Sequence, residues 1–239
     1  MTERDAVRVL TYNVRSLRDD ARAVARVIRS ADPDVVCLQE VPRFLFARRK
    51  ARRLARRARL QIVTGGRDSG ATMVLARRGI RVVATRTVRL SKRRGLHQRG
   101  LAMAVLDLPA AGRTLVVSTH MSLDADERAI HLLEIVSELR RATIPVILAG
   151  DLNETPDGPV WHALAERYVD AWALAGTAAG FTFSAGHPRQ RIDAIFVADL
   201  EPARASVQTG ELASRASDHL ALAVDCRTDD TRQTVAVAR

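Results

Sequence analysis

Eight polar side chains stand where apolar runs of this 239-residue sequence stop. Asn13 ends VLTYN, Glu40 ends VVCLQE, His120 ends VVSTH, Asp151 and Asn153 follow VILAG, Asp193 lies within RIDAIF, and Asp218 and His219 precede LALAVDC. Carboxylates and carboxamides are oxygen ligands for hard cations, and imidazoles exchange protons near neutral pH. No cluster of thiols or histidines points to zinc. A single Asp or Asn after a strand is most often a turn former, so each position alone carries little weight. Polar groups gathered at the strand ends of an α/β sheet, by contrast, are where binding crevices form.

The elements that must position them follow from periodicity. β-branched runs starting at Val7, Asp34, Ala71, Leu101, Thr114, Pro145, Arg191 and Leu220 predict strands. Asp20–Ser30 and Asp124–Arg141 predict amphipathic helices, the second opened by Asp124 with Glu127 three residues on. Phe44–Arg59 predicts a third, with an apolar stripe of Phe44, Ala47, Ala51, Leu54 and Ala58 and arginines nearly everywhere else. Trp161 and Trp172 are expected in the core. No linker or repeat divides the chain, so one α/β domain over 1–228 is expected, followed by a disordered tail at 229–239.

Composition narrows the function classes. With 47% apolar and 27% charged residues the chain can bury a core, and no apolar run is long enough to cross a membrane. The opening MTERDAVRVL lacks the apolar centre of a secretory signal, and the two cysteines, Cys37 and Cys226, read as buried thiols. A cytoplasmic monomer is expected. The net charge of +11 is uneven: positions 41–106 hold 19 basic residues and one acid, Asp68, hence +18, while the remainder is −7. Of 38 basic residues, 36 are Arg. Coding bias accounts for Arg over Lys better than for the clustering, which points to a polyanionic partner.

Taken in order, TYNV, LQE, STH, GDLN, RIDAIF and SDH resemble the motifs of the endonuclease/exonuclease/phosphatase superfamily, the deoxyribonuclease I-like metal-dependent phosphoesterases. The resemblance spans Tyr12 to His219 and implies a four-layer α/β/β/α sandwich of two mostly antiparallel sheets with a site at one edge. It also implies Mg²⁺ or Mn²⁺ held by Glu40, with Asn13 and Asp218 as further ligands. By the same carry-over Asp151 orients or deprotonates the attacking water or contacts a second metal, Asn153 holds a phosphate oxygen, and His120 and His219 face the scissile phosphate, with Asp193 paired to His219. These types suit an anionic phosphodiester, whose hydrolysis needs charge neutralised, a water positioned and a leaving alkoxide stabilised.

Substrate choice lies outside those motifs. Val41 after LQE, no Tyr between Val41 and Asp151 and no Trp after Trp172 depart from the abasic-site endonucleases, and the aromatic-rich GD variant of the inositol polyphosphate phosphatases is absent. The basic segment favours a nuclease acting on DNA or RNA, with Arg93, Arg94 and Arg99 of the loop SKRRGLHQRG as candidate substrate contacts. A phospholipid or small-phosphodiester hydrolase is the alternative, and would present an exposed apolar loop beside the site. A binder that has lost catalysis is disfavoured by the complete acid and histidine set. His97, His131, His162 and His187 are read as ordinary surface or structural histidines, and Arg191 as structural.

Overall fold

Strand parity decides which side chains reach the interior. The computed structural model describes residues 5–228, so the expected tail lies outside the described residues. Along β1 (Val7–Asn13), Val7 and Val9 pack between two sheets while Leu10 and Tyr12 face a helical layer. The same period of two runs through β2 (Val35–Gln39) and β4 (Thr72–Arg77), through β6 (Gly100–Leu108), β7 (Gly112–His120) and β8 (Val146–Asp151), and through β10 (Asp193–Ala198) and β12 (Leu222–Thr228).

Four further strands complete two six-stranded sheets: β3 (Leu60–Gly66), β5 (Arg81–Arg89), β9 (Val169–Asp170) and β11 (Leu200–Val207). The orders are β11-β12-β1-β2-β4-β3 and β5-β6-β7-β8-β10-β9. Each sheet is antiparallel apart from one central parallel pair, β1–β2 in one and β7–β8 in the other. Helices α1 (Ala21–Ala31), α2 (Ala47–Ala58) and α6 (Glu211–Ala216) cover the first sheet. Helices α3 (Ala125–Leu139) and α4 (Pro159–Ala165) cover the second, and α5 (Ala171–Ala175) packs by β11. The layers are therefore helix, sheet, sheet, helix, the α/β/β/α sandwich expected from the sequence.

Asp20 and Asp124 accept from backbone N–H groups of the first turns of α1 and α3, capping both as expected. Helix α2 differs: it begins at Ala47, and Phe44, Leu45 and Phe46 form an exposed loop ahead of it. Phe44 is therefore no part of the apolar stripe, which consists of Ala51, Leu54, Ala55 and Ala58 packed on the core. Cys37 and Cys226 are free and buried, and Trp161 and Trp172 are buried as expected. Among the described residues no helix is long and apolar enough to cross a membrane.

Candidate active site

The two parallel pairs point their C-terminal ends to one edge, and the expected polar residues meet there. Asn13 is paired in register with Gln39, His120 with Asp151, and Asp151 with Asp193. All share the parity that faces the inter-sheet core, so their side chains emerge where that core reaches the edge. Below them Thr11, Gln39 and Ser118 tie the sheets together: Thr11 donates to Gln39 at 3.3 Å, Gln39 to Ser118 at 3.3 Å and Ser118 to the Leu38 carbonyl at 3.0 Å. Glu40 and Asn153 leave their strands in the left-handed conformation, φ 51° each, a cost that sites tend to concentrate.

Gly150 makes the meeting possible. A Cβ there would lie 2.0 Å from the Thr119 carbonyl oxygen, so only glycine lets β7 and β8 approach closely enough to set His120 against Asp151.

Asp151 is the hub. Its Oδ2 accepts from Asn13 Nδ2 at 2.9 Å and lies 3.3 Å from His120 Nε2 and 3.7 Å from His219 Nε2, while Oδ1 accepts from the Asn153 backbone N–H at 2.9 Å. Burial drives its pKa up to about 6, against the nearby His219. His219 Nδ1 donates to Asp193 Oδ2 at 2.8 Å. Burial disfavours its imidazolium, yet Asp193 and Asp151 outweigh burial and push His219 up to about 10. The half-buried Phe183 ring packs on the His219 ring, centroids 4.9 Å apart.

His120 is the opposite case. Arg99 Nη1 donates to its Nδ1 at 2.7 Å, since a guanidinium can only donate, and its Nε2 lies 3.3 Å from Asp151 Oδ2. Burial and the Arg99 charge hold the imidazole well below its usual pKa. Asn153 Nδ2 lies 3.1 Å from His120 Nε2 and donates to the Met121 carbonyl at 3.0 Å. Sequence reasoning found no partner for His120. It is Arg99, 9% exposed, whose Nε is buried without a hydrogen-bond partner.

The metal-ligand candidates are arranged less simply. Asn13 Oδ1 accepts the Arg15 backbone N–H at 3.0 Å, leaving Nδ2 to donate to Asp151 and, at 3.4 Å, to Glu40. Asn13 here braces carboxylates instead of offering an oxygen. Glu40 and Asp218 are half-buried and reachable from solvent, and Arg15 Nε lies 3.2 Å from Asp218 Oδ2. Asp151, Asp193 and His219 also gather within 4.8 Å, but the short Asp193–His219 bond makes them a His–Asp pair facing a second carboxylate, Asp151. Asp193 Oδ1 is buried without a partner. Two clustered buried carboxylates, two half-buried ones and no thiol suit an oxygen-seeking divalent cation.

Of the loop arginines only Arg99 reaches the site. Arg93 is taken up by Asp124 at 2.8 Å and Asp126 at 3.2 Å at the start of α3, and Arg94 is exposed. His131 Nε2 donates to the Ser91 carbonyl at 2.9 Å and anchors the same loop. Arg191 pairs with Asp170 at 2.9 Å over the Trp161 ring, a structural role.

A two-sheet sandwich with this edge site defines the deoxyribonuclease I-like phosphoesterases. The sequence profile of the Endonuclease/Exonuclease/phosphatase family matches residues 10–219, and the chain belongs to that family of hydrolytic, divalent-metal-dependent phosphoesterases. No curated protein matches it. Similar solved structures include an endonuclease/exonuclease/phosphatase family protein from Bacteroides thetaiotaomicron at 18% identity, covering 94% of this chain and 98% of that one, TM-score 0.81. A mannosyl-6-phosphatase of the same organism is 18% identical over 92% of this chain and 99% of its own, TM-score 0.77. TDP2 from D. rerio, complexed with single strand DNA product, is 18% identical over 93% of this chain and 99% of its own, TM-score 0.76.

Proposed function

We propose that this phosphoesterase is a nuclease that hydrolyses phosphodiester bonds of DNA or RNA. Glu40 and Asp218 are the carboxylates that would hold Mg²⁺ or Mn²⁺, with Asn13 bracing Glu40. The bound ion supplies charge neutralisation at the phosphate and at the leaving oxygen. Asp151, ionised above about pH 6, accepts a proton from the attacking water. His219, kept protonated to about pH 10 by Asp193 and Asp151, donates to the phosphoryl group or leaving oxygen. His120 stays neutral, fixed by Arg99 with its Nε2 facing Asp151, and Asn153, anchored on the Met121 carbonyl, stands beside it to contact a phosphate oxygen.

The observation that carries the nucleic-acid reading is the position of the basic segment: Arg99 bonds His120, Arg43 shares a groove with Arg48, and the arginine-rich α2 begins four residues past Arg43. TDP2, a protein of the same fold, holds a single strand DNA product. A phospholipid hydrolase is the second reading, favoured by the exposed Phe44–Leu45–Phe46 loop. The test is a panel of plasmid DNA, single-stranded RNA, sphingomyelin vesicles and a chromogenic phosphodiester with Mg²⁺, Mn²⁺ or EDTA. Nucleic acid is cut with metal, not with EDTA, and Asp151→Ala or His219→Ala lowers the rate by ~10³-fold. Full activity in EDTA sinks the metal mechanism, and turnover of sphingomyelin alone sinks the nuclease.

A further inference from the structure

The cations of the basic segment divide into two populations. Arg77, Arg81, Arg86, Arg89 and Arg93 each pair with a carboxylate: Asp32 and Asp34, Asp107, Glu138, Asp68, and Asp124 and Asp126 respectively. Those of α2 do not. Among the described residues Arg48, Arg49, Lys50, Arg52, Arg53 and Arg56 make no ion pair and stand exposed on its outer face. Six unpaired cations thus share one exposed helix face.

That face also carries apolar surface with no partner. Phe44, Leu45 and Phe46 are 83%, 76% and 62% exposed, in a chain with only five phenylalanines. Phe44 and Phe46 line a groove of about 930 Å³ together with Arg49, Arg52, Arg53 and Arg56. A second groove of about 420 Å³ shares Ala47 and Arg48 with the first and includes Arg43, three residues past Glu40. Rings and guanidinium groups thus line the same groove.

We propose that the α2 face is a docking groove for single-stranded nucleic acid, whose bases stack on Phe44 and Phe46 while the α2 arginines hold its phosphates. The proposal deepens the nuclease reading and rests on it for the direction in which the strand leads. Stacking on aromatic rings requires bases with free faces, which a single strand has and a duplex hides. Stacking and phosphate contact are blind to the 2′-hydroxyl, so DNA and RNA strands bind alike. A membrane is the poorer fit, because the apolar stripe of α2 is buried on the core and the rings lie in the same groove as the arginines.

The experiment is fluorescence anisotropy in EDTA with a labelled 12-nucleotide single strand and the matching duplex, alongside co-sedimentation with phosphatidylglycerol vesicles. Wild type binds the single strand at least ~10-fold more tightly than the duplex, and Phe44→Ala/Phe46→Ala weakens single-strand binding ~10-fold or more. Arg52→Gln/Arg53→Gln/Arg56→Gln flattens the slope of log affinity against log salt by roughly 2. Leu133→Ala, an exposed leucine on α3, leaves affinity unchanged. Both sets of variants keep the wild-type circular dichroism and melting midpoint, since every altered side chain is exposed. Equal binding of duplex, or single-strand affinity indifferent to the phenylalanines, overturns the proposal. Vesicle binding lost in Phe44→Ala/Phe46→Ala while strand binding persists overturns it in favour of a lipid surface. The two readings fail separately: strand binding without metal-dependent cleavage leaves the groove and removes the nuclease, whereas metal-dependent hydrolysis of the chromogenic diester without strand binding removes the groove.

Discussion

Arg99 is a charged group in a place where stability alone would not put one. Its guanidinium is buried, its Nε has no hydrogen-bond partner, and its one polar side-chain contact is with an imidazole, not a carboxylate. A buried cation without a bonded carboxylate is costly, and its replacement by an apolar group of similar length is often neutral or stabilising. Arg99→Met is therefore expected to unfold in urea within ~1 kcal/mol of wild type, or above it. Turnover of a chromogenic diester should fall ~10²–10³-fold, the usual loss for a preorganised donor and its oriented neighbour. A loss of stability beyond ~3 kcal/mol with turnover intact would make Arg99 a structural residue. The eight strand-end residues were legible because each interrupts an apolar run. Arg99 was legible only as one cation among four in SKRRGLHQRG. Its distinction is burial, which depends on how that loop folds over β6 and which no local pattern records.

At the scale of elements, the site is a consequence of two parallel strand pairs ending at one edge, and the closest constraint is the β7–β8 contact. Gly150→Ala would drive a methyl to 2.0 Å from the Thr119 oxygen, so the strands must part and His120 must move from Asp151. The expected outcome is destabilisation by roughly 3 kcal/mol in urea unfolding, with turnover falling in the same variant. Gly186→Ala, where an added Cβ meets nothing within 4 Å, should stay within about 0.5 kcal/mol. Wild-type behaviour of Gly150→Ala would show that the pairing of these strands does not set the site. The strands on either side of this contact could be read from β-branched runs because they are buried on both faces. Strands β3, β5, β9 and β11 could not. β5 is an exposed edge strand whose arginines mask its alternation and guard it against pairing. β11 carries Pro202 at a bulge, and β9 is two residues long. Phe44 misled for a related reason: its spacing matches the helical stripe, but the chain turns left-handed at Phe46 before α2 starts.

For the molecule as a whole, the charge asymmetry proved half informative: five of the segment's arginines are neutralised across the fold, which composition cannot reveal, while α2, among the described residues, presents six unpaired cations on one face. At the opposite sign, the site gathers Glu40, Asp151, Asp193 and Asp218, and that concentration should register in global stability. Asp151 has a folded pKa raised to about 6 from an unfolded value of 3.8, so its contribution to stability is complete below about pH 4 and lost as pH rises through 6. His219, raised to about 10 from 6.5, contributes fully below pH 6.5, and that contribution drains away steadily until pH passes 10. From these two groups the metal-free protein should lose melting temperature between pH 4 and 6 and go on losing it from about 6.5 towards 10. A divalent cation binds ionised carboxylates and offsets their repulsion, so it competes with protons for this edge. At 100 times its dissociation constant it stabilises by about 2.7 kcal/mol, or roughly 5–10 °C for a chain of this size. That rise should be near full at pH 8, small at pH 5, and reduced at every pH in Glu40→Gln/Asp218→Asn. An equal rise at both pH values, or one untouched by that double variant, would place the cation elsewhere on the protein.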